Sequence, residues 1–285
     1  MYRPQLRTLA SHLNNHISQS PLSELFRRTR SENRAALIGY LPAGFPSQQG
    51  CIQALTAMVE GGVDAIEIGY PYSDPVMDGP VIQAAADTSL RNGTGAKEVF
   101  AAVSAIAKIA PTVVMTYWNP IERYGINGFI QELKRNGGSG VITPDLTVEE
   151  SGEWLEASDL EGTHRIYVVA PSTSDERLRM VSEASSGFIY AASLMGVTGT
   201  RSSVSSSART LVSRLRSVTN LPVAVGLGVS TPEQAHEVAQ YADGVIVGSA
   251  FIRLLQESIL HADPEDGVRK VRKLAEELSG RLKRD

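Results

Sequence analysis

Two carboxylates stand where a folded chain has little use for them unless they work. Glu67 interrupts the apolar run AIEIGY (65–70), and Asp78 follows in the loop PYSDPVMDGP (71–80). Side chains alternate along a strand, so Ile66 and Ile68 share one face and Ala65, Glu67 and Gly69 the other. With helices covering the isoleucine face, Glu67 points to the other side of the sheet, near the carboxyl end of its strand. A desolvated carboxylate loses on the order of several kcal/mol of hydration. Two readings meet that cost. One is a structural ion pair with a distant Lys or Arg; the other is an acid/base pair.

The elements that must hold these groups follow from periodicity. Short apolar strands are expected at 35–40, 65–70, 112–117, 139–144, 164–171, 187–193, 222–228 and 242–250. Helical patterns fall between them, at 50–62, 79–93, 97–107, 129–133, 148–158, 176–185, 208–220 and 231–241, and again from Phe251. Pro80 suits a first helical turn, Gly93 suits a helix end, and Thr231 with Gln234 forms a capping box. Strands apolar on both faces and alternating with helices predict a parallel sheet, and eight such units predict a closed (β/α)₈ TIM barrel of the α/β class. The whole chain, 1–285, reads as one domain, with 35–255 as barrel core and 1–33 as a helical extension. Leu22, Leu25 and Phe26 suggest a short amphipathic helix that plugs one end of the barrel. The charged tail 268–285 reads as a helix with a solvated face.

A barrel works at the carboxyl ends of its strands and holds phosphate in the loops after strands seven and eight. Glycine-rich turns stand there: GVTG (196–199) after strand six, GLGVS (226–230) after strand seven and GSA (248–250) after strand eight. Glycine lets backbone N–H groups approach an anion, and a following helix N-terminus favours it. The chain lacks both GxxxxGK[ST] and a GxGxxG-plus-acid unit, which argues against a nucleoside triphosphate or dinucleotide. Tyr190, in FIYAAS, adds a phenol from strand six, either as core or as part of the site. Lysines are scarce in the strands, which weakens a Schiff-base mechanism. Proton transfer on a phosphorylated metabolite fits these residues.

Other features exclude more than they assign. His12 and His16 stand at i, i+4 without a third ligand nearby, so no metal is expected. The single cysteine, Cys51, lies in an apolar helical pattern and reads as a packed thiol. A net charge of −4 gives no nucleic-acid footprint. With no signal-peptide layout and no membrane-length apolar run, a cytoplasmic location is expected.

The runs LPAGFP (41–46), IEIGYPYSDPVMDGPVIQ (66–83), MTYWNPIERYG (115–125), PDLTVEE (144–150), GVTGTR (196–201), GLGVSTPEQ (226–234) and DGVIVGSA (243–250) resemble, collinearly, the tryptophan synthase α-subunit family. The resemblance implies a lyase that splits indole-3-glycerol phosphate into indole and glyceraldehyde 3-phosphate. It implies no cofactor in this chain and a β-subunit partner that carries pyridoxal phosphate and receives indole, in an α₂β₂ complex. By motif, Glu67 matches the glutamate that protonates C3 of the indole ring, and Asp78 the aspartate that holds the indole N–H. Tyr190 matches a tyrosine beside the substrate. Gly199, Gly228, Gly248 and Ser249 match the phosphate-binding turns, and Thr198 a residue of the mobile lid. Asp74, Asn119 and Pro120 resemble parts of the β-contacting face, where Thr147 replaces a common proline. A stand-alone lyase releasing free indole and a non-catalytic activating subunit are the alternative readings.

Overall fold

The structure, a computed structural model, describes residues 19–192, 201–226 and 228–285, with backbone alone at 201–205. Thr198, Gly199, His12 and His16 lie outside the described residues.

Eight strands pair in parallel and in sequence order, and the last closes on the first. They are β1 (Ala36–Pro42), β2 (Ala65–Gly69), β3 (Thr112–Met115), β4 (Gly140–Thr143), β5 (His164–Val169), β6 (Ile189–Ala192), β7 (Val223–Gly226) and β8 (Gly244–Val247). The first helices are α1 (Pro21–Ser31), α2 (Gln48–Glu60), α3 (Pro80–Arg91) and α4 (Ala96–Ile106). Next come α5 (Trp118–Tyr124), α6 (Ile126–Arg135), α7 (Gly152–Glu161) and α8 (Asp175–Ala184). The set ends with α9 (Arg201–Arg216), α10 (Pro232–Ala239), α11 (Ser249–Leu260) and α12 (Pro264–Ser279). None of the described helices is long and apolar enough to cross a membrane.

The two-residue period divides the core into two layers. Outward residues such as Leu37, Ile66, Ile68 and Val114 pack beneath the helices. Inward residues such as Ile38, Ala65, Val113, Ile142 and Ile246 fill the barrel, joined by Leu22, Leu25 and Phe26 of α1. The amphipathic segment thus plugs one end, and Phe26 sits 5.6 Å from Phe188, ring to ring. Ser20 caps α1 by accepting from Ser23 N–H at 3.1 Å, and its Oγ lies 2.6 Å from Nε2 of the buried His164 on β5. Cys51 is buried with Sγ 3.5 Å from the Pro42 carbonyl oxygen, as a packed thiol should be.

The tail forms the expected helix with a solvated charged face, and it also has a buried face that was not expected. On that second face α12 buries Val271, Ala275 and Leu278 against α2 and α11. The approach to α2 is so close that a Cβ at Gly61 would stand 2.5 Å from the Arg272 carbonyl oxygen. The basic–acidic alternation covers only the outer side, where Arg272 reaches Glu60 at 3.2 Å. Two smaller departures share a local cause. An unforeseen helix, α5, directly follows β3, and a 3₁₀ turn (Val148–Glu150) precedes α7. Asp145 accepts from Trp118 N–H at 2.9 Å, so the cap of α5 comes from another loop and has no local signal.

Candidate active site

β2 is buried throughout, and its alternation sends Glu67 inward with Ala65 while Ile66 and Ile68 meet the helices. Glu67 is 1% exposed. Neither carboxyl oxygen has a hydrogen-bond partner, and no Lys or Arg among the described residues pairs with it. Among the described residues the ion-pair reading finds no partner. Burial disfavours the anion, and Asp78 nearby disfavours it further, so the Glu67 carboxyl is pushed up to about 8.

Asp78 is half-buried in the loop between β2 and α3. Burial raises its carboxyl to about 6, against the hydrogen bond donated by the Tyr117 hydroxyl, which favours the anion. Tyr117 caps α5, and its oxygen also accepts from Met77 N–H at 3.0 Å. The Tyr72 ring lies 5.3 Å from that of Tyr117, and Gln83 Nε2 donates to the Asp78 carbonyl at 2.8 Å. The loop is thus fastened to the mouths of β3 and α3. Farther out it leaves Asp74 and Val76 exposed, with Asn119 exposed on α5.

Tyr190 points inward from β6 toward the same charges, since both Glu67 and Asp78 add to the effect of burial in raising its phenol. Tyr40 does likewise from β1, where it stands in register with Glu67. Periodicity puts Tyr40 on the inward face with Ala36 and Ile38, but only the register sets it beside Glu67. Each phenol needs a glycine. A Cβ at Gly226 would lie 2.5 Å from the Tyr190 hydroxyl. A Cβ at Gly69 would strike the Tyr40 hydroxyl, and one at Gly248 would lie 2.9 Å from the Tyr40 ring. Tyr40 therefore spans from the acid strand, β2, to the glycine turn after β8. Both phenols stay protonated at neutral pH and are hydrogen-bond donors.

Gly228 follows β7 with φ +66°, a conformation that favours glycine, and is exposed at the mouth. Gly248 caps α11 and Ser249 is that helix's first residue, so its unpaired N–H groups open beside the end of β8. β7 and β8 are neighbours, as are β8, β1 and β2. Glu67, Asp78, Tyr190 and Tyr40 thus gather at the carboxyl end of the barrel, where Gly228, Gly248 and Ser249 follow the strand ends. Among the described residues there is no group of three or more His, Cys, Asp or Glu able to hold a metal. This end of the barrel offers one carboxyl protonated near neutrality, one ionised, two phenols and a helix N-terminus that favours an anion. That set suits proton donation to a carbon whose developing positive charge is held by a second carboxylate.

The chain is similar to known proteins over most of its length. A family model described as tryptophan synthase alpha chain matches residues 26–283. The tryptophan synthase alpha chain of Thermobifida fusca is 54% identical, covering 88% of this chain and 93% of that one. The corresponding protein of Mycobacterium marinum is 50% identical, covering 91% and 94%. A chain in the crystal structure of tryptophan synthase from M. tuberculosis, open form, superposes with a TM-score of 0.85 at 46% identity, covering 93% of this chain and 100% of that one.

Proposed function

This chain belongs to the tryptophan synthase alpha chain family, and from that premise we propose that Glu67 and Asp78 carry out its cleavage chemistry as acid and anion. The chain is a lyase of tryptophan biosynthesis that converts indole-3-glycerol phosphate to indole and glyceraldehyde 3-phosphate. One observation carries the assignment of roles. Two neighbouring carboxyls are pushed to about 8 and about 6, so near neutrality one keeps its proton and the other does not.

Protonated Glu67 gives its proton to C3 of the indole ring. Positive charge develops on the ring nitrogen, and ionised Asp78 accepts a hydrogen bond from that N–H. The Glu67 carboxylate then takes the proton of the glycerol hydroxyl adjacent to C3. As the carbonyl forms, the C–C bond to C3 breaks and its electron pair restores the indole. The proton lent at C3 returns from the hydroxyl, so Glu67 ends as it began. Tyr190 and Tyr40 flank the substrate as donors, and Gly228, Gly248 and Ser249 receive the phosphate. By motif, Thr198 and Gly199 belong to the lid and phosphate turns.

The alpha subunit has a beta-subunit partner. In this reading two of each associate, pyridoxal phosphate resides in the beta subunit alone, and the complex works in the cytoplasm. The exposed Asp74, Val76 and Asn119 support the rim beside Asp78 as the partner's face. Cleavage of indole-3-glycerol phosphate by the purified chain, beside Glu67→Gln, tests the roles. Wild type should form indole, and the variant should bind substrate but turn over almost none. Near-normal turnover by Glu67→Gln would overturn the acid role, and addition of a beta subunit should raise indole formation.

A further inference from the structure

The floor of the barrel, opposite the catalytic mouth, carries two arginine–aspartate clusters that look alike in sequence and differ in geometry. At the start of β2, Asp64 accepts from Leu37 N–H at 2.9 Å. Arg34 binds its two oxygens at 2.6 and 2.8 Å, and Arg28 adds a bond at 3.2 Å. That carboxylate is saturated, and the cluster is a structural clamp between α1 and the barrel. At the start of β8, Asp243 accepts from Val223 N–H at 2.9 Å and is bonded by Arg216. The Nη2 atoms of Arg30 and Arg284 stop 3.6 Å short of its other oxygen, an ion-pair distance without a hydrogen bond.

Here three guanidiniums converge on one buried carboxylate, an excess of positive charge within the cluster. They line a cleft of about 460 Å³ walled by Asn220 and Gln240. Two of the three are held in place by backbone. Arg284 donates to the carbonyls of Ala239 and Ala242 at 3.0 and 2.8 Å, and Arg216 donates to that of Leu221 at 3.3 Å. The Arg30 side chain makes no hydrogen bond to a described residue. Asp285, at the rim, turns its carboxylate to His236 at 3.6 Å, and its N–H to Gln240. Arg209, stacked 4.6 Å over the Tyr241 ring, adds to the positive field beside the cleft.

We propose that this floor cleft, framed by Arg30, Arg216 and Arg284 around Asp243, binds the phosphate or diphosphate group of a small anion. Guanidiniums arranged as planar forks match phosphate oxygens in bidentate pairs, and an anionic ligand offsets the excess positive charge. The cleft is larger than an inorganic phosphate requires and falls within the size of small-molecule sites. It is separate from the phosphate rim proposed at Gly228, Gly248 and Ser249, because Asp243 and Asn220 precede the strands whose far ends form that rim.

Calorimetric titration of the full chain with inorganic pyrophosphate at low ionic strength tests the site. Arg30→Gln removes one guanidinium without breaking a hydrogen bond, and Asn220→Asp places a carboxylate in the cleft wall. Both should fold, by circular dichroism, and form indole at the wild-type rate. In each the Kd should rise about tenfold or more, while Arg28→Gln, at the saturated cluster, should leave it unchanged. Should Arg30→Gln fail to fold, Asn220→Asp alone decides. Equal affinity in wild type and the folded cleft variants, or no binding to wild type, overturns the proposal, since pyrophosphate at the catalytic rim would bind all of them alike.

Discussion

Asp78→Asn should remove one limb of a bell-shaped pH profile and displace the other. The competent enzyme has Glu67 protonated and Asp78 ionised, a window bounded by about 8 and about 6. Near pH 7 each group lies about one unit on its favourable side, so roughly 80% of the enzyme is competent, falling to about a tenth near pH 5 and near pH 9. At the ordinary glutamate value of 4.5, Glu67 would hold its proton in roughly 0.3% of molecules near pH 7, so its environment enlarges the competent acid about 300-fold. Asparagine cannot titrate, so the acidic limb should vanish. The alkaline limb should move below about 8, because Asp78 contributes to the Glu67 shift, yet stay well above the ordinary range, because burial contributes most. Loss of an ionic acceptor for the indole N–H should cut kcat roughly 10- to 100-fold.

The assay is steady-state indole formation between about pH 5 and pH 9, with kcat and kcat/KM fitted separately. The substrate phosphate titrates near the acidic limb in kcat/KM, but equally for both proteins, so the difference between them isolates Asp78. A flat wild-type profile, or an acidic limb that persists in kcat of Asp78→Asn, would refute the assignment of one protonated and one ionised carboxyl.

Glu67→Gln should be inactive but more stable. The folded carboxyl keeps its proton to about 8 whereas the unfolded one loses it near 4.5, so wild-type stability declines between those values as pH rises. Urea unfolding near pH 8 should favour the variant by on the order of a few kcal/mol, and a variant no more stable than wild type would contradict a strained carboxyl. His164 works in the opposite direction. Burial, with Lys134 and Arg165 nearby, holds it at about 4, so the unfolded chain binds its proton first and stability falls as pH drops from 6.5 toward 4. His164→Gln should flatten that decline by on the order of 3 kcal/mol, and an unchanged slope would place the acid sensitivity elsewhere. Gly226→Ala would set a Cβ 2.5 Å from the Tyr190 hydroxyl and displace it, lowering kcat/KM with little loss of fold; unchanged kinetics would return Tyr190 to a packing role.

The barrel was legible because its signal is repeated. Eight apolar runs at strand length, each followed by a helical period, leave few arrangements other than closure, and the plug showed itself through Leu22, Leu25 and Phe26. Boundaries were less legible where tertiary contacts set them. The run 242–250 looks extended throughout, yet β8 stops at Val247 and Ser249 already begins α11. The buried face of α12 is hard to read in the sequence for a related reason. Charges dominate the helix's composition, while Val271, Ala275 and Leu278 gain meaning only once Gly61 allows α2 to approach.

The site was legible to the degree that it breaks local rules. Glu67 contradicts its strand, and only a group that loses stability by being there carries that signal. Tyr40 contradicts nothing. A tyrosine at the end of an apolar strand is ordinary, so its place beside Glu67 emerges only from the register of β1 with β2 and from two missing Cβ atoms, at Gly69 and Gly248. The same reasoning gives Gly248 a second duty. Beyond its match to a phosphate turn, it makes room for the Tyr40 ring, so a side chain there would disturb the phosphate rim and the acid's neighbour together. Gly228 is exposed in the loop after β7 and is set by its own φ of +66°. Substitution at Gly228 should therefore act mainly on KM, whereas Gly248→Ala should lower kcat as well, and equal effects on the two parameters at both positions would argue that Tyr40 is only packing.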